Sequence, residues 1–165
     1  MALNVDYYFA PNSPWTYLGH QRFAEIARAA GATINVLPVD LGGKVFPVSG
    51  GLPLSKRAPQ RQAYRLTELK RFSDFLGQPI VLQPKYFPVN ADDAAKLIIA
   101  VDMHDGSDAA MRIAGRILRG VWVDERNIAD ARDLAKMLEE EGMPSRRLDD
   151  SMSQAVHVRY EQDTQ

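Results

Sequence analysis

The chain has 165 residues, which suits one domain, or one domain carrying a sizeable insertion. It is 45% hydrophobic and 25% charged with a net charge of -1, which excludes wholesale disorder and leaves no basic surface of the kind nucleic acid requires. It holds no cysteine, so its own residues cannot exchange disulfides or build a thiolate metal site, and His20, His104 and His157 form no metal-ligand motif. Met1 to Asp6 has no basic segment followed by a long apolar stretch, and no window is long enough to span a membrane. The cytoplasm is the expected location, with no metal and no membrane partner.

Leu3 to Ala10, rich in Val, Tyr and Phe, predicts a strand buried on both faces by its end. Ser13-Pro14 is a helix start: serine caps the free amides and proline at the first helical position loses nothing. The helix runs to about Ala30, with Leu18, Phe23, Ile26, Ala27 and Ala30 as its inner stripe, and Gly31 stops it. Thr33 to Leu41 predicts a second, nearly continuously apolar strand, completing a parallel crossover unit. Gly42 to Ala58, with its glycines and prolines, reads as a long loop. A helix is expected at about Pro59 to Leu76, ended by Gly77 and Pro79. Pro84 to Asn90 is irregular and leads to a cap at Asn90. Helices follow at about Ala91 to His104, Ser107 to Val123, Asp130 to Glu141 and Asp149 to Gln162. Two strands are too few for an independent sheet, so either the helices do most of the burying or strands of the fold lie outside this sequence.

Chemistry is expected at Ser13. A strand end, a short turn and a helix N-terminus place its hydroxyl beside free amides and a positive dipole end. A thiolate would be favoured there, since thiol pKa values fall at helix N-termini. The same pattern also describes a plain N-cap, and Trp15 and Tyr17 read equally as packing residues.

The segment Ser13-Pro14-Trp15-Thr16-Tyr17-Leu18, after an aromatic-rich strand, resembles the start of the 2-hydroxychromene-2-carboxylate isomerases and kappa-class glutathione transferases. Pro59-x-Arg61-x-x-Tyr64, then Leu69 and Arg71, resembles that family's Pro-x-Lys-x-x-Tyr segment. Phe87-Pro88-x-Asn90 resembles its Phe-Pro-x-Asn turn. Gly120-Val121-Trp122-Val123 and Ile128-Ala129-Asp130 fall where its helical insertion would place them.

The resemblance implies an α/β, thioredoxin-like fold of the DsbA-like kind, with residues 1–58 as its first half, 59–148 as a helical insertion domain and 149–165 as the returning helix. It implies glutathione as cofactor, with Ser13 catalytic and hydrogen-bonded to the cofactor sulfur, and with Pro14, Trp15 and Arg61 also binding it. Tyr17 and Asn90 are the substrate-binding candidates. Asn90 reads at least as well as the N-cap of the next helix. Lys56 and Arg57 are candidate anion contacts, and solvated surface charge explains both as well. The implied reaction is cis–trans isomerisation of a small aromatic-degradation intermediate by reversible thiolate addition. Two alternatives stand beside it: a kappa-like transferase or peroxidase, and a non-catalytic protein that associates through exposed strand edges.

The sequence departs from the family twice. Leu52 stands about where the family carries an asparagine. The sequence given ends at Thr164-Gln165, before the segment in which relatives place a cis proline, two antiparallel strands and a last helix. On this reading the C-terminal strands of the sheet are lacking, and bare strand edges would favour a homodimer.

Overall fold

A computed structural model describes residues 3–165. Strand β1 (Leu3–Phe9) pairs in parallel with β2 (Ala32–Pro38), in a register that runs from Leu3 opposite Ala32 to Phe9 opposite Pro38. Helix α1 (Pro14–Ala29) crosses between them. The sequence reading expected β1 to be buried on both faces by its end. Instead β1 is exposed along most of its length, with Leu3 56% and Tyr8 60% exposed, and only Phe9 is buried. The reason is placement. The helices gather on β2, and among the described residues the outer edge of β1 has no strand partner. β2 also stops at Pro38, short of Leu41.

The inner face of α1 differs from the expected stripe. Ile26 is 59% exposed and Ala30 is exposed, whereas Tyr17 and His20 are buried beside Leu18 and Ala27. His20 joins three elements. Met111 O can only accept, so His20 Nε2 donates to it at 2.9 Å, and Nδ1 accepts from the Tyr7 hydroxyl at 3.0 Å. Burial holds the imidazole below its usual pKa, against a smaller upward pull from the Met111 carbonyl.

The segment expected as a long loop is wound into turns: a π-helical turn over Leu41–Val45, α2 (Phe46–Ser49) and a 3-10 turn over Leu54–Lys56. Asp40 starts this series by accepting the Gly43 N–H at 2.7 Å. Helix α3 (Pro59–Leu76) follows the prediction, although Phe72 and Phe75 point outward, 48% and 80% exposed, and only Leu69 is fully buried.

The core lies in α4 (Asp92–Asp105) and α5 (Ser107–Trp122), joined by Gly106 alone, whose φ of 86° suits glycine. From Leu97 to Val101, α4 is wholly buried around its circumference, because α5, α7, α8 and β2 surround it. On α5 the buried residues include Ile113, Ile117, Leu118 and Trp122, and α6 (Ala131–Glu140) adds Leu134, Met137 and Leu138. The largest buried cluster runs without a break from Phe9 and Val36 to Met143.

The single expected last helix is two, α7 (Arg147–Ser151) and α8 (Gln154–Thr164). Ser153 starts the second by accepting the Val156 N–H at 3.5 Å. Arg147, 4% exposed, fixes α7 to α4: Nε and Nη2 reach Asp105 at 2.6 and 2.7 Å, and Nη1 reaches Asp150 at 2.7 Å. That hydrogen-bonded guanidinium holds the Asp105 carboxyl below its usual range. Among the described residues, no helix is long and apolar enough to cross a membrane.

Two outcomes are expected. Arg147→Leu strands two carboxylates and should lower unfolding free energy by about 3 kcal/mol in urea titrations; a change below about 1 kcal/mol would show the cluster to be dispensable. The depressed His20 pKa means that the unfolded chain takes up a proton first as acid is added. Its contribution to stability is therefore complete above about pH 6.5 and is lost as pH falls through the folded pKa. The urea midpoint should drop between about pH 7.5 and about pH 5.5, and His20→Gln should flatten that slope; an unchanged slope in the variant would assign it to other groups.

Candidate functional site

The end of β1 delivers the chain into a tight turn at Pro11 and Asn12, where Ser13 N–H donates to Ala10 O at 3.0 Å. Ser13 is half-buried with extended φ and ψ of -81° and 128°, and its Oγ accepts the Thr16 N–H at 3.3 Å. This is an N-cap. Pro14 occupies the first helical position and is buried. Among the described residues Oγ is engaged only as an acceptor, which leaves its proton to be donated. The Trp15 amide lies in the first turn, where a helix offers no acceptor of its own. Hydroxyl, amide and the positive end of a 16-residue helix meet at one spot suited to an anion.

A cavity of about 510 Å³ opens at this spot, within the size range of small-molecule sites. Ser13 faces it together with Phe9, Val39 and Val45, and the last turn of α8 closes it with Asp163 and Thr164. Thr164 is fixed there: its Oγ1 accepts from Asp40 N–H at 3.1 Å and donates to Tyr160 O at 2.8 Å. Asp163 Oδ2 is buried without a well-aligned hydrogen bond, and Arg159 Nε at 3.5 Å is a charge contact only. Burial pushes this carboxyl above its usual range; Arg159 opposes the shift and Asp102 reinforces it. Local sequence pattern did not mark Asp163. The available signal was topological, since a helix returning to the strand ends must bring its last turn against the Ser13 turn.

Of the predicted residues Ser13 lines this cavity; Pro14 and Trp15 follow it in the first turn of α1, and the others lie elsewhere. Trp15 is 41% exposed and meets the Phe72 ring edge-on at 5.7 Å. Tyr17, expected to contact substrate, is buried and donates its hydroxyl to Pro79 O at 2.6 Å, so that group is spent on the backbone. Asn90, also expected to contact substrate, is exposed, and its Oδ1 accepts from Asp92 N–H at 2.8 Å at the start of α4. Arg61 is exposed in the first turn of α3 and lines none of the cavity wall. The Ser13 turn is nevertheless clamped to the segment before α4, because Asn12 Nδ2 donates to Val89 O at 2.8 Å.

A wider hollow of about 1460 Å³ lies between α1 and α5, lined by Tyr17, His20, Arg112 and Glu141 among others. At its rim Arg112 pairs with Glu141, and Arg116 with Glu140. Among the described residues, no group of three or more His, Asp or Glu could hold a metal.

Comparison with known proteins gives this architecture its place. A 2-hydroxychromene-2-carboxylate isomerase of Pseudomonas putida is 29% identical over 82 residues, which cover 50% of this chain and 40% of that relative. A solved structure of a 2-hydroxychromene-2-carboxylate isomerase superposes with a TM-score of 0.77 at 24% identity, covering 98% of this chain and 77% of that one. The cytosolic disulfide reductase DsbM from Pseudomonas aeruginosa, solved with GSH, gives 0.70 at 19% identity, with 98% and 77% covered. At these identities the structural likeness establishes the fold, a thioredoxin-like one with a small sheet and a large helical part. The model of the DSBA-like thioredoxin domain matches residues 4–165, and the chain belongs to that family.

Proposed function

We propose that this chain serves a glutathione-dependent cis–trans isomerase of the 2-hydroxychromene-2-carboxylate type. The observation that carries the reading is the Ser13 hydroxyl: it caps α1 as an acceptor, keeps its proton to donate, and faces a cavity of about 510 Å³. Glutathione, when bound, supplies a thiolate that adds reversibly to a conjugated carbon, so that a double bond becomes single, rotates and re-forms. Ser13 would donate its hydroxyl proton to the sulfur anion, and the Trp15 amide and the helix dipole would add to that stabilisation. Phe9, Val39 and Val45 would exclude water from the reacting sulfur and so strengthen each of those contacts. With no cysteine of its own, the chain would depend on a borrowed thiol, which separates this chemistry from disulfide exchange between paired cysteines. The family likeness supports the reading.

A second reading is favoured by the bare outer edge of β1, with Leu3, Val5 and Tyr8 exposed. Two copies would associate through that edge and form a homodimer. Concentration-dependent dimerisation in sedimentation runs, without glutathione binding in calorimetry, would select it over the first.

Capping and thiolate binding are separable by substitution. Ser13→Ala removes both and should cost about 1 kcal/mol of stability. It should also weaken glutathione binding by about tenfold. Ser13→Asp keeps a capping oxygen but cannot donate and carries a negative charge. It should melt near the parent temperature yet lose glutathione binding and isomerase turnover; parental binding by this variant would remove Ser13 from the reaction.

A further inference from the structure

Asp163 stands in the wall of the Ser13 cavity, and its side chain is only 11% exposed. Its Oδ2 is buried without a well-aligned hydrogen bond among the described residues. The neighbouring cation is turned elsewhere. Arg159 Nη2 lies 2.7 Å from Asp102 Oδ2 and donates to Val36 O at 3.2 Å, which leaves Nε 3.5 Å from Asp163 Oδ2. Two carboxylates, one on α4 and one on α8, thus share a single guanidinium, and Asp163 has the poorer contact. Its backbone is pinned. The next residue, Thr164, is held between Asp40 N–H and Tyr160 O, and the Tyr160 hydroxyl donates to Asp92 Oδ1 at 3.0 Å. The other titratable groups at this end are Tyr8, which lines the same cavity, Asp40 at the turn after β2, and the exposed Lys44–Glu161 pair at 3.8 Å.

A thiol that enters this cavity must lose its proton before Ser13 can hydrogen-bond a sulfur anion. Ser13 acts there as a donor, so it does not take that proton. Asp163 is the lining residue whose side chain carries a carboxyl. Two negative charges in one partly desolvated cavity repel each other, and a proton on the carboxyl removes the conflict. Transfer from sulfur to Asp163 leaves the charge of the cavity unchanged. The S–H bond breaks, an O–H bond forms on the carboxyl, and the negative charge passes from carboxylate to sulfur. Burial already disfavours the ionised carboxyl, which makes it a better acceptor than an exposed one.

We propose that Asp163 receives the thiol proton when a thiol ligand such as glutathione enters the Ser13 cavity. The assignment rests on the glutathione reading above and goes beyond it by naming the base. The proton stays on Asp163 while the sulfur is an anion and returns to it when the ligand departs.

Calorimetry in buffers of different ionisation enthalpy counts the protons that the buffer gains or loses on binding. At about pH 7 an ordinary carboxyl is ionised and a free thiol is protonated. Under those conditions reduced glutathione should bind the parent with no net proton released to the buffer. Asp163→Asn, neutral and of nearly the same shape, should bind it and release about one proton per ligand. Ultraviolet thiolate absorbance should appear in both complexes. S-methylglutathione, which has no thiol proton, should release none in either protein. Circular dichroism melts check folding, and Asp163→Ser takes the place of Asp163→Asn if that variant unfolds. A proton released by the parent, or none released by the neutral variant, overturns the assignment and leaves glutathione binding intact. Absent thiolate absorbance in the parent complex overturns it as well. No glutathione binding by the parent removes the glutathione reading, and this assignment with it.

Discussion

Two parallel strands cannot hold themselves together, and the rest of this structure follows from how that deficit is met. β2 is covered by α1, α4, α5 and α8, and the hydrophobic area that stabilises the protein lies in the helical part, above all in the α4–α5 hairpin. The strands act less as a core than as a rail. They set the direction in which the chain enters the Ser13 turn, and Asn12 fastens that turn to Val89 on the helical side. The start of α1 is thus placed by contacts that come from both directions along the chain.

On the proposed reading, that placement lets one serine serve two needs. An N-cap serine is an ordinary solution to free amides at a helix start. Here the cap opens onto a cavity instead of bulk water, so its unused proton and the helix dipole lie at a partly desolvated space. The same desolvation acts on Asp163 across the cavity. Charged groups at this end of the molecule are consequently less well paired than those of the Arg116–Glu140 and Arg147–Asp105 clusters, which join helix to helix.

Much of this was legible in the sequence, for physical reasons that can be named. Ser13-Pro14, Gly31, Gly77 and Gly106 are residues whose backbone preferences fix helix ends locally, and those ends fall where expected. Burial was read less well wherever tertiary packing overrides local pattern. Ile26 and Phe75 are apolar yet face outward, while His20 is polar yet buried, because its two ring nitrogens find Tyr7 and Met111 from distant elements. The winding of residues 41–56 into short turns depends on local capping such as that by Asp40, which glycine and proline content alone does not reveal. At the site, Ser13 was visible because its cap signal is local. The bond from the Tyr17 hydroxyl to Pro79 was not legible locally, since only the fold brings the two together, and Asp163 was invisible, since α8 must first return to the strand ends.

The central claim is that the helix start seats a sulfur anion against the serine hydroxyl. A crystal structure of this chain grown with reduced glutathione tests it most directly. The sulfur should lie within hydrogen-bond reach of Ser13 Oγ, inside the cavity bounded by Phe9, Val39 and the end of α8. Glutathione ordered elsewhere, with that hydroxyl turned to water or to a protein carbonyl, would contradict it.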